Sequence, residues 1–189
     1  MNLNSLLIVL TALIIPYGVI SSAENVRANE ERYYTVEDFQ KVKKFDTHIH
    51  INTAESTFIK LAQEDNFQFL DIVDDRPFGL PWTEQQKFAF LHLKNFPSQM
   101  EVATTFSVKG FNEEGWAENT ISDLKLSLSK GARAVKIWKN IGMDLRDDMG
   151  KFVMLDDPRL APIFSFLVQN GIPLIGHNGE PRDCWLPLD

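Results

Sequence analysis

The chain has 189 residues, a formal charge of −7 and 44% hydrophobic residues, enough to build one sizeable core. Its 26 acidic and 19 basic side chains are intermixed, without a basic patch or a long block of one sign. Such a surface is repelled by nucleic acid and by anionic lipid, so neither is expected as a partner and a small-molecule substrate is.

The N-terminus differs in character. Residues 6–20 are apolar or small, interrupted at Thr11, Pro16, Tyr17 and Gly18, and Ser21-Ser22-Ala23 supplies the small residues a signal peptidase reads before Glu24. The run falls short of the roughly 20 apolar residues of a membrane span, and Pro16 would break a helix. Residues 1–23 are therefore expected to be a signal peptide that directs export to the periplasm or outside the cell. No stable membrane insertion is expected after its removal. The alternative is an uncleaved anchor, because residues 1–5 lack the usual Lys or Arg. The single cysteine, Cys184, permits no internal disulfide and reads as a packing residue beside Trp185.

Residues 24–44 are polar and charged, a lead-in with a short helix expected over 36–42. From residue 45 strands and helices alternate. Residues 45–51 read as a strand, 56–63 as a helix, 67–73 as a strand ended by the turn-prone segment 74–79, and 83–95 as a helix capped by Thr83. On that helix Phe88, Leu91 and Asn95 share a face. A β-branched strand over 101–108 and a helix over 116–130 follow, the latter with Ile121, Leu124 and Leu128 at helical spacing and Gly131 at its end. Residues 132–138 form a fourth strand, 158–169 a helix and 172–177 a fifth strand. This spacing implies parallel strands with right-handed crossovers. Two architectures have that pattern, a doubly wound open sheet and a β/α barrel. The first strand–helix turn lacks the G-x-G-x-x-G of the dinucleotide-binding version, and the placement of the histidines favours the barrel.

Three of the four histidines fall at the ends of predicted strands, where the strand–helix loops of a barrel form its mouth. His48 and His50 are two apart, so a regular strand points both to one face, with Asp46 beside them. Two such rings can converge on one cation. The plainer reading is a His-x-His pair lining a packed interior. His177, within Gly176-His177-Asn178-Gly179, ends another strand. Lys136 lies in the apolar run Ala134-Val135-Lys136-Ile137-Trp138, where a buried ammonium must be paired or chemically altered. Lys139 competes with it, but strand parity puts the two on opposite faces. His92, between Leu91 and Leu93 of a predicted helix, reads as a structural or surface histidine.

Phe45-Asp46-Thr47-His48-Ile49-His50, residues 131–138 and Ile172-Pro173-Leu174-Ile175-Gly176-His177 together resemble the amidohydrolase superfamily, its amidohydrolase-related branch in particular. The likeness runs over nearly all of residues 45–189, in order. It implies a (β/α)8 barrel holding one or two divalent metals, zinc foremost. His48 and His50 match the first-strand ligands, His177 the fifth-strand ligand and Lys136 a fourth-strand position that some members carbamylate. The family's sixth-strand His and eighth-strand catalytic Asp would lie beyond residue 189. Such a barrel takes about 250 residues, and five strands leave its edges open. Residues 45–189 are thus expected to be the N-terminal part of the barrel, a fragment or truncated product inactive by itself. The activity implied is hydrolysis of an ester, lactone or amide carbonyl by metal-activated water. Arg76, Glu180 and Arg182 are expected to meet the substrate, or else to be loop surface charges. The rival readings are a metal-dependent decarboxylase of the same branch and a non-catalytic exported barrel fragment.

Overall fold

A computed structural model describes residues 34–177. The chain divides after Phe39. Before that point lies one 3-10 turn, Val36–Asp38, in place of the longer helix expected over 36–42. Thr35 caps it, its N–H and hydroxyl both donating to Asp38 Oδ2 at 3.0 and 3.1 Å.

The second part is an α/β fold whose five parallel strands curl into a half-barrel in sequential order. Its elements are β1 (Lys44–Ile49), α1 (Thr57–Glu64), β2 (Phe67–Ile72), α2 (Trp82–Asn95), β3 (Met100–Thr105), α3 (Trp116–Ser129), β4 (Ala134–Lys136), α4 (Asn140–Met143), α5 (Ala161–Gln169) and β5 (Leu174–Ile175). The alternation read from the sequence is therefore present, and the barrel-like curl replaces the open sheet that was its competitor. The last three strands are shorter than expected, β4 and β5 losing residues at both ends. The short, kinked α4 falls in a segment read as loop. Among the described residues no helix is long and apolar enough to cross a membrane.

Strand parity separates two apolar surfaces. Phe69, Val73, Val102 and Val135 face the helices, where they join Ile59, Ala89, Leu124, Ile163 and Leu167 in three packed clusters. Ile72, Ala103 and Ala134 face the other way and pack with Leu70 and Ile175 inside the curl. Small side chains at 103 and 134 let neighbouring strands bend toward each other around that interior.

Helix α2 is rotated from its expected setting. Its buried stripe is Gln85, Ala89 and His92, while Leu91 is exposed. The polar members of the stripe decide this, because both reach backbone carbonyls of loops. Gln85 Nε2 donates to the carbonyls of Asp74 and Leu80, and its Oε1 accepts the Asp74 N–H. His92 Nε2 donates to the Thr53 carbonyl at 2.7 Å. Its ring is fully buried, so His92 belongs to the interior and not to the surface. Nor does Thr83 cap α2, which starts one residue earlier behind Pro81. On α3 the expected face holds: Leu124 is fully buried, with Ile121 and Leu128 packed on the same clusters.

Candidate functional site at the mouth of the half-barrel

The C-terminal ends of parallel strands point to one rim, and four strand–loop junctions deliver the chemistry there. The first is irregular. Asp46 pairs with Phe69 but Ile49 pairs with Asp71, so β1 carries one residue more than β2 across the same span. This bulge reverses the alternation of the strand. Asp46 lines a groove on the helix side with Phe58, Leu61 and Phe67, and its Oδ1 turns back to accept the His48 N–H at 2.9 Å. The expectation that Asp46 shares a face with the histidines is thereby overturned. His48 and His50 are brought together beyond the bulge, their ring centroids 5.2 Å apart and edge to face.

His50 is the better anchored of the two. Its Nδ1 lies 2.6 Å from the Ile72 carbonyl, which can only accept, so Nδ1 carries the proton and Nε2 keeps the lone pair. Burial holds this imidazole below the ordinary histidine value, against the opposing pull of the Ile72 carbonyl and Asp74. Burial thus favours the neutral ring, whose Nε2 presents a lone pair.

The loop after β2 contributes Asp74, Asp75 and Arg76. Asp74 is completely buried and pairs with Arg76. Arg76 Nη2 also lies 3.4 Å from His50 Nδ1, and its guanidinium stacks over Trp138 and Phe78 at 5.6 and 5.9 Å. Asp75 knits the rim together, accepting the Val108 N–H at 2.9 Å and the Asn140 amide at 3.3 Å. Burial pushes its carboxyl above the ordinary value. A cavity of about 520 Å³ opens here, lined by Asp75, Arg76, Ser107, Val108, Asn140 and Leu145 among others.

Lys136 ends β4 on the inner face and is buried. Burial lowers its pKa, opposed by the charge of Asp74. Lys139 has left the strand and starts α4, its ammonium 5.2 Å from the Trp138 ring, so Lys136 alone occupies the interior position. His177 follows β5 and meets Trp138 edge to face at 5.4 Å. Glu180 and Arg182, like residues 1–23 and Cys184, lie outside the described residues.

The mouth therefore gathers His50, Arg76 and Lys136 around Asp74, sets His48 beside His50, and holds His177 against Trp138. Among the described residues no group of three or more His, Cys, Asp or Glu side chains is arranged to hold a metal ion. What the pair offers is lone-pair chemistry: one ring protonated at Nδ1, with its lone pair on Nε2, and a second ring beside it, which fits a divalent cation. Sequence reasoning missed Asp74, whose burial depends on Gln85 and Arg76 folding over it, and Asp75, whose partners lie 33 and 65 residues away. Comparison with protein-family models, with curated proteins and with solved structures finds no match.

Proposed function

We propose that this mouth is a metal-dependent hydrolytic site on a (β/α)8 barrel of the amidohydrolase-related type. The observation that carries the reading is the fixed tautomer of His50 beside His48, at the strand end where barrel enzymes place their reactive groups. His48 and His50 would hold a divalent ion, zinc most readily for nitrogen ligands, with His177 and Lys136 completing one or two metal positions. The bound metal supplies Lewis acidity and activates water for attack on an ester, lactone or amide carbonyl.

The chain's own residues orient and tune. Ile72 and Asp74 hold the His50 ring, as outer partners of metal-binding histidines do. Asp74 balances the charges of Arg76 and Lys136. Arg76 has Nε and Nη2 engaged with Asp74, and its remaining N–H groups face a polar or carboxylate substrate entering the 520 Å³ cavity. Export through residues 1–23 belongs to the same reading.

Metal analysis tests it. Zinc or cobalt added to the full chain and then dialysed is expected to remain at one or two equivalents. His48→Ala and His50→Ala should each lower retention by about 10-fold or more. A wild-type chain that neither retains nor rebinds a divalent metal overturns the proposal.

A further inference from the structure

Two buried polar groups behind the mouth take no part in the site just described, and each has one atom without a protein partner. Asp71 is 2% exposed; its Oδ1 accepts the Ile51 N–H at 2.9 Å and its Oδ2 meets nothing. His92 is 1% exposed; its Nε2 donates to the Thr53 carbonyl at 2.7 Å and its Nδ1 meets nothing. A carboxyl group in a nearly dry site is a costly way to accept one hydrogen bond. An orphaned buried polar atom calls for a reason beyond packing.

The two groups grip the same short segment. Residues 51–53 lie between β1 and α1 in neither strand nor helix, immediately after His50. Asp71 binds the N–H of the very peptide that joins His50 to Ile51, which fixes the plane of that peptide. The next residue of β2, Ile72, binds the His50 ring through its carbonyl. Consecutive positions on one strand thus set the backbone and the ring of one histidine. His92, reaching from α2, holds the far end of the segment at Thr53.

The need for such a grip follows from the bulge. An extra residue between Asp46 and Ile49 interrupts the ladder just where the histidines stand, and among the described residues β1 pairs with β2 alone. Regular pairing alone does not hold this stretch.

We infer that Asp71 and His92 are positioning residues for the His48–His50 pair, clamping the Ile51–Thr53 segment from the helix side so that the His50 ring keeps one orientation and one tautomer. The inference rests on the metal reading of that pair, but its first consequence is visible without metal.

The test uses the full chain and four variants. Asp71→Leu and His92→Phe keep the buried volume close to constant and remove the hydrogen bond. Asp71→Asn keeps an acceptor for Ile51, and His92→Gln keeps a donor for Thr53. The His50 tautomer is read in the metal-free protein by long-range proton–nitrogen NMR, and Co²⁺ affinity by visible absorption. The wild type should show a single tautomer protonated at Nδ1. Asp71→Leu and His92→Phe should lose it and weaken Co²⁺ binding by about 10-fold or more, while Asp71→Asn and His92→Gln stay within about 3-fold of the wild type. His92→Phe carries the test if Asp71→Leu fails to fold. A lowered melting temperature with unchanged tautomer and affinity would make the clamp merely structural and overturn the inference, leaving the metal reading intact. A wild type that binds no Co²⁺ overturns the metal reading, and the tautomer then decides on the clamp alone: its loss in the two apolar variants upholds the positioning role, its retention ends it.

Discussion

Asp74 and Arg76, two residues apart after β2, grip each other at two points: Nε meets Oδ1 at 2.6 Å and Nη2 meets Oδ2 at 2.5 Å. The carboxylate is wholly inaccessible and the guanidinium only 22% exposed, so this pair stands apart from the exposed ion pairs such as Lys87–Glu84. Guanidinium and carboxylate meet through two parallel hydrogen bonds; the guanidinium lies over the Trp138 ring, and Asp74 Oδ2 stands 3.7 Å from His50 Nδ1. Its electrostatic reach extends to Lys136, which among the described residues is attracted chiefly by Asp74.

Removing Arg76 should therefore cost far more than a surface charge does. Arg76→Ala leaves a buried carboxylate uncompensated, and a loss of about 3–5 kcal/mol is expected in urea denaturation. Arg76→Lys restores the charge but not the two-point geometry, and should recover only part of it. A loss below about 0.5 kcal/mol would show the pair to behave as an exposed one.

Gln85 is the second support of the same loop. Its amide makes three hydrogen bonds, to Asp74 N, Asp74 O and Leu80 O, at 3.1, 3.0 and 2.8 Å. Gln85→Leu fills the volume but strands these backbone groups, for a cost of about 2–4 kcal/mol. Hydrogen exchange at the Asp74 amide should rise with it. If that amide stays protected, another group has taken over the support.

At Gly131, after α3, the backbone disfavours a side chain and the space for one is tight. Its φ is +107°, and an added Cβ would stand 3.0 Å from Leu93 Cδ2. Gly131→Ala is expected to destabilise by about 1–3 kcal/mol. Thermal unfolding measures this, and a variant as stable as the wild type would mean that α2 and α3 shift apart without loss.

Asp71 gives stability a pH dependence of defined sign. Burial raises its pKa from 3.8 to about 7, against the lowering effect of the Ile51 N–H. The folded chain therefore holds a proton that the unfolded chain has released between those two values. Folding is favoured by that proton at low pH, so this contribution falls as pH rises from about 4 to 7 and is level above that. Asp75, also raised by burial, slopes the same way, so the comparison needed is wild type against Asp71→Asn. Denaturation midpoints of the two should diverge across this window. Parallel curves would mean that Asp71 titrates as an ordinary carboxyl.

Much of this architecture is legible in the sequence because it depends on local periodicity. Alternating strand and helix patterns imply parallel strands, and the run over 134–138 announces a buried strand with one lysine in it. His48 and His50 stand two apart and His177 sits at a strand end, a pattern that by itself points all three toward one rim. Gly131 marks a helix end by the same local logic.

What tertiary structure alone decided concerns registers and long-range partners. The bulge in β1 sends Asp46 to the helix side and leaves the histidines inside, because one extra residue reverses every side chain after it. The turn of α2 was set by Gln85 and His92 seeking carbonyls from distant loops, and hydrophobic spacing cannot foresee such partners. Asp74 became the hub of the mouth through the same kind of contact. The residue types and their order were written locally; which of them share a face, and which carry a neutralising partner, came from strands and helices that meet only once the chain has curled.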